Sequence, residues 1–144
     1  MICSRQGLPV LEGTSERDAV LRGGYVVADS EGDPQVTLVA SGSEVQHCVA
    51  AAATLASEGI AARVVSLPCW EVFERQDEAY QASVFPEGLP AVSIEAGSTF
   101  GWARYADTTL GIDTFGASAP GGLVMEKMGI TADAVVVAAR EILQ

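Results

Sequence analysis

The stretch from Val36 to Leu67 restricts the fold more than any other part of the chain. It opens with Val36 to Ala40 (VTLVA), a nearly all-apolar run, the pattern of a strand covered on both faces. Ser41-Gly42-Ser43-Glu44 then predicts a helix start. Both Ser41…Glu44 and Ser43…Gln46 have the spacing at which a hydroxyl and an acidic or amide side chain satisfy free backbone N–H groups. Val45, Val49, Ala52, Leu55 and Ala56 recur at three- and four-residue steps and form one apolar stripe. Gly59 stands where a left-handed residue would close that helix. Arg63 to Leu67 (RVVSL) reads as the next strand, stopped by Pro68. Strand, helix and strand in succession make a βαβ unit with parallel strands and a right-handed crossover.

The alternation continues to the end of the chain. Gly24 to Ala28 (GYVVA) is a short β-prone run closed by the turn cluster Asp29 to Pro34. Trp70 to Ala82 carries helical signals, with Asp77 and Glu78 opening a second short helix. Ala91 to Ala96 (AVSIEA) reads as a strand, and Leu110 to Ile112 as a short one after a helix near Gly101 to Tyr105. Leu123 to Met128 and Thr131 to Leu143 read as helices, the last capped by Thr131. The whole predicts a three-layer α/β/α sandwich on a mostly parallel sheet.

Charge bounds the partners. With 19 acidic and 8 basic residues the net charge is −11. The cations, Arg5, Arg17, Arg22, Arg63, Arg75, Arg104, Lys127 and Arg140, form no cluster. A nucleic-acid backbone needs a basic face, so neither nucleic acid nor an anionic membrane is an expected partner. No apolar run approaches the roughly 18 residues of a membrane span. Without a basic-then-apolar leader, the expected compartment is the cytoplasm. Cys3, Cys48 and Cys69 lie far apart and His47 is the single histidine, which does not supply a zinc site and fits free thiols in a reducing interior.

The residues that carry chemistry are scattered. Gly42 lies at a strand-to-helix turn, where an anion can sit on helix N-terminal amides, although ordinary capping explains the same residues. His47 reads as a surface or boundary residue, because a general base needs a partner that fixes its tautomer. Ser93, Ser98 and Ser118 lack a G-x-S-x-G elbow. Glu95 ends a predicted strand, where open α/β sheets place ligands, or else caps the following loop. Trp102 and Tyr105 are expected to pack the domain or an interface. The sequence gives a scaffold with no complete active site.

The start of the chain, MICSRQGLPVLEG, raises a separate question: three apolar residues, then an arginine-bearing loop, with no regular pattern until about Tyr25. Taken with ASGSEV, SLPCWEVFERQ, EAGSTFGWARY and IDTFGASAP, the segment SRQGLPVLEG resembles the C-terminal end of transketolases over essentially the whole chain. Ala106 to Leu110 (ADTTL) is shorter than the loop expected at that point. The resemblance implies a five-stranded mixed sheet with one antiparallel edge strand. It makes residues 1–23 a remnant of the preceding pyrimidine-binding domain plus linker, and residues 24–144 the C-terminal domain. It also implies that Arg5, with Ser4 beside it, binds the sugar-phosphate substrate; a guanidinium grips phosphate bidentately. The plainer reading makes Arg5 a solvated linker charge.

The family moves a two-carbon ketol unit between sugar phosphates of the pentose phosphate pathway. Its cofactors are thiamine diphosphate, on which the carbanion forms, and a divalent metal, Mg or Ca. The GDG motif that holds them is absent here. The resemblance therefore implies no catalytic, cofactor or metal residue in this chain, inactivity alone, and a role supporting the other transketolase domains and a homodimer. Other readings are a stand-alone regulatory or small-ligand-binding module with this fold, and a related thiamine enzyme such as a dihydroxyacetone synthase.

Overall fold

A computed structural model of the chain describes residues 6–14 and 17–144. Five strands, β1 (Tyr25–Ala28), β2 (Val36–Ala40), β3 (Ala62–Ser66), β4 (Ala91–Ile94) and β5 (Thr108–Leu110), form one sheet in the order β1-β3-β2-β4-β5. β1 runs antiparallel to β3 and every other pair is parallel. This is the mixed five-stranded sheet that the resemblance implies. Its helices are α1 (Arg17–Val20), α2 (Val45–Ser57), α3 (Trp70–Phe73), α4 (Glu78–Val84), α5 (Gly121–Lys127) and α6 (Ala132–Ile142).

The sheet carries two cores because alternate strand residues point to opposite faces. On one face α2 and α6 cover Val36, Leu38, Ala40, Val64, Val92 and Ile94. On the other, Val39, Val65 and Ala91 meet Phe73, Val84 and Trp102. All five residues of β2 are buried, as its apolar run requires. Each fully buried Leu, Ile or Val contributes roughly 1.5–3 kcal/mol.

The helical stripe of α2 sits one residue round from its expected place. Val45, Cys48, Ala51 and Leu55 are buried, while Val49 and Ala52 flank them and Ala56 is exposed. Small Cys48 and Ala51 let the helix approach the sheet more closely than Val49 would. Gly59 closes α2 at φ +78°. Its N–H donates to the Ala56 carbonyl, and that of Ile60 to the Leu55 carbonyl, the paired closure that needs a left-handed residue.

Trp70 to Ala82 is split into α3 and α4, and the second starts where Asp77 predicts. The Asp77 Oδ1 accepts the Tyr80 N–H at 2.8 Å. Asp77→Ala is expected to lower stability by about 1 kcal/mol, read as a shifted urea midpoint; an unchanged midpoint would show the cap to be idle. Thr131 likewise accepts the Ala134 N–H and caps α6.

Two elements differ from expectation. β5 lies two residues earlier than Leu110 to Ile112, because Thr108 and Thr109 pair with Val92 and Ser93; their hydroxyls disguise a strand whose branched Cβ suits one. Arg17–Val20 forms a single helical turn where no periodicity pointed to one. The outer strands are short: β5 has three residues, and β1 has four with a register shift between Val26 and Ala28.

Candidate functional site

The connections define a crevice. From β2 the chain leaves through α2 to β3 on one face of the sheet. From β4 it leaves in the opposite direction, through a 3-10 turn at Trp102–Arg104 on the other face, to β5. Ligands of doubly wound sheets settle at such a divergence, beyond the carboxyl ends of the strands. Here the residues at that point are Ser41, just past β2, and Glu95, just past β4.

These two side chains meet. Ser41 Oγ donates to Glu95 Oε2 at 2.6 Å, the short range of a hydroxyl on a carboxylate. Neither expected capping box forms, because the Ser41 hydroxyl is spent on this partner across the crevice. Ser43 Oγ turns to Glu44 Oε1 at 2.6 Å, and Gln46 Nε2 donates to the Ser43 carbonyl at 2.9 Å. Glu44, in the 3-10 turn Gly42–Glu44 that leads into α2, is only 3% exposed. Burial pushes the Glu95 carboxyl above its ordinary value; the Ser41 hydroxyl opposes this and the Glu44 carboxyl reinforces it. An adjoining cavity of about 330 Å³ is lined by Ser41, Cys69, Trp70, Glu71, Glu95 and Trp102. Glu71 and Glu95 give this cavity acidic rather than basic side chains, which disfavours an anion there.

The remaining candidates take other roles. His47 is half-buried beside a cavity of about 670 Å³ shared with Gln6, Ala117 and Met125, and it makes no side-chain hydrogen bond among the described residues. Ser93 is buried in β4. Ser98 Oγ donates to Asp113 Oδ1 at 2.8 Å, and Ser118 is exposed. Trp102 is buried against Trp70, with ring centroids 5.2 Å apart. Tyr105 packs on Trp70 and donates to Glu74 Oε1 at 2.9 Å; burial and that carboxylate push its hydroxyl up to about 12. Cys48 is a buried thiol, pushed upward first by burial and then by Glu44. Arg5, Ser4 and Cys3 lie outside the described residues.

Asp113 was not singled out from the sequence. It accepts from Thr99 N–H at 2.9 Å and Thr99 Oγ1 at 2.7 Å, as well as from Ser98, and these donors hold its carboxyl below the ordinary value, the Thr99 hydroxyl foremost. The bonds tie the loop after β4 to the loop after β5. Phe100 and Phe115, one on each loop, stand 90% and 100% exposed. Among the described residues no three His, Cys, Asp or Glu side chains converge as a metal site, and no helix is long and apolar enough to cross a membrane.

A mixed sheet with helices on both faces and a divergence closed by its own side chains defines a doubly wound α/β domain. Residues 23–131 match the family model of the transketolase-like C-terminal domain. The chloroplastic transketolase of Solanum tuberosum is 48% identical over 145 residues, covering 96% of this chain and 19% of that protein. Transketolase from Leishmania mexicana superposes with a TM-score of 0.92 at 44% identity, covering 96% of this chain and 20% of that one. A Pichia stipitis transketolase solved with sedoheptulose 7-phosphate gives 0.89 at 39% identity, covering 96% and 20%. The chain belongs to the transketolase family and corresponds to its C-terminal domain. It spans about a fifth of the length of these relatives.

Proposed function

We propose that the chain works as the C-terminal domain of a thiamine-diphosphate-dependent transketolase, in the two-carbon ketol transfer between sugar phosphates of the pentose phosphate pathway. The observation that carries this reading is the agreement over 96% of the chain with 20% of the Leishmania mexicana enzyme. Within such an enzyme the domain supports its neighbours and the dimer, and the exposed Phe100 and Phe115 are its available anchors for them.

The described residues do not fit the cofactor or its metal. No acidic or histidine cluster of metal-binding size is among them, and the α2 start offers carboxylates where a diphosphate needs donors. Both groups, with Mg or Ca as the metal, therefore fall to other parts of the enzyme in this reading, and the chain by itself is inactive. We divide the chain into a linker with the end of the pyrimidine-binding domain, residues 1–23, and the domain proper, residues 24–144. Leu8, Pro9 and Leu11 of that linker lie in a cleft with Gly42, Ser43 and Gln46. The chain thus enters beside the carboxyl edge of the sheet, on the same side as the crevice. Arg5, with Ser4, is the proposed grip on the substrate phosphate. A reducing compartment, the cytoplasm in this reading, suits the free Cys48 and Cys69 thiols.

The test has two arms. An antibody to this domain should detect, in source cells, a polypeptide several times longer than 144 residues, or one that co-purifies with a thiamine-diphosphate-binding chain. The purified chain, given the cofactor, Mg²⁺, a ketose phosphate and an aldose phosphate, should transfer nothing. A lone native chain of this length, or ketol transfer by it, would overturn the reading.

A further inference from the structure

We propose that the loops after β4 and β5 form one rigid docking platform set by Asp113. Its Phe100 and Phe115 seat on the pyrimidine-binding domain of the same polypeptide, the domain that leads into residues 1–23. This rests on the transketolase reading and deepens it, by naming which neighbour the aromatic anchors meet and what positions them. β4 and β5 end at Ile94 and Leu110, but their chains stay zipped beyond that point. The Glu95 N–H donates to the Leu110 carbonyl at 3.0 Å, and the Ile112 N–H to the Gly97 carbonyl at 2.7 Å. Asp113 closes the run by accepting from the Thr99 N–H, the Thr99 hydroxyl and the Ser98 hydroxyl. No slack is left at Gly111, where a Cβ would lie 2.8 Å from both the Gly97 carbonyl oxygen and Thr99 Cγ2. Phe100 follows Thr99 directly and Phe115 follows Thr114 after Asp113, so both exposed side chains spring from this knot. A rigid base loses little freedom on docking and so anchors better than a mobile loop.

Composition and position identify the occupant. Charged residues make up 19% of the chain, yet Ala96 to Ala103 and Thr114 to Met125 contain none. Asp113, beside them, is turned onto its own three donors. Depletion of charge with retention of aromatics marks the buried centre of an interface. Apart from Val137, every large apolar side chain that stands exposed among the described residues belongs either to the segment before β1 or to these uncharged stretches. Both groups share one edge of the sheet. β2, β4 and β5 run parallel, so the two loops leave from the carboxyl edge. Leu8 and Val20 line a cleft with Gly42 and Ser43 at that same edge. A domain tethered through residues 1–23 is thereby held at high effective concentration over the platform. A separate copy of the chain has no such tether, and its own net charge of −11 opposes its approach.

The experiment uses the complete polypeptide that carries this sequence. Phe115→p-benzoylphenylalanine is irradiated, and the cross-linked peptides are mapped by mass spectrometry; Phe100→p-benzoylphenylalanine repeats the test from the other loop. Both should attach to peptides of the pyrimidine-binding domain without raising the mass of the polypeptide on a denaturing gel. Cross-links that join two polypeptides, cross-links confined to residues 24–144, or none at all would each overturn the proposal. Asp113→Ala should lose most of the product at position 115. Asp113→Asn should keep more of it, because the Asn Oδ1 still accepts the Thr99 N–H; equal yields with Asp, Asn and Ala would remove Asp113 as the positioning residue. Ketol transfer by the unsubstituted polypeptide is assayed alongside. Its absence would overturn the transketolase reading, while the cross-link map decides the docking platform by itself.

Discussion

Gly23→Ala is expected to cost the chain roughly 2–5 kcal/mol, combining left-handed strain with forced overpacking. That is a large share of the roughly 5–15 kcal/mol that stabilises an ordinary domain. Gly23 has φ +81°, and a Cβ there would sit 2.4 Å from the Cys69 carbonyl oxygen and 2.5 Å from the Phe73 nitrogen. Both obstacles are backbone, so no rotamer change relieves them. Moving the segment aside would also break the bond that the Gly23 carbonyl accepts from the Cys69 N–H at 2.9 Å. Gly59→Ala is the control: its φ is +78° but nothing lies within 4 Å of the added atom, so only the strain of about 1–2 kcal/mol applies. Urea unfolding of the two variants should separate them clearly; equal losses would show that crowding at Gly23 is relieved by movement.

The second large effect concerns Arg5 in a complete transketolase carrying this sequence. Arg5→Ala should lower kcat/KM for a phosphorylated ketose by roughly 10- to 100-fold, the magnitude of a lost charge-assisted hydrogen bond. Most of the loss should appear in KM, since the phosphate does not react and is held equally before and during the chemistry. Arg5→Lys should restore part of it, because an ammonium keeps the charge but not the bidentate fork. Activity toward a ketose without phosphate should barely change. Equal losses on the two substrates would remove Arg5 from the phosphate site and leave it a linker charge.

What the sequence revealed divides by range. β2, β3 and β4 were legible because strands covered on both faces must be apolar throughout. The caps at Asp77 and Thr131 were legible because each partner lies three residues away. β5 was misplaced because its two threonines resemble a loop until Val92 and Ser93 are seen beside them. The crevice was half legible. Glu95 stood out as an acid at a strand end, but its partner Ser41 is 54 positions away, and the serine's local pattern pointed to capping instead. Nothing local marks Glu44 as buried, since an acid in a first helical turn normally faces water. The Asp113 tie was hidden for the same reason: its donors come from another loop.

The short outer strands described above bear on how this polypeptide keeps company. A sheet grows by adding strands to a long, regular rim, and such rims seed aggregates. On one side β5 offers only three residues, and on the other β1 breaks step between Val26 and Ala28. Neither border is a usable template for a neighbouring copy. With a net charge of −11 adding mutual repulsion, both borders of the sheet resist strand-to-strand pairing with a neighbouring copy.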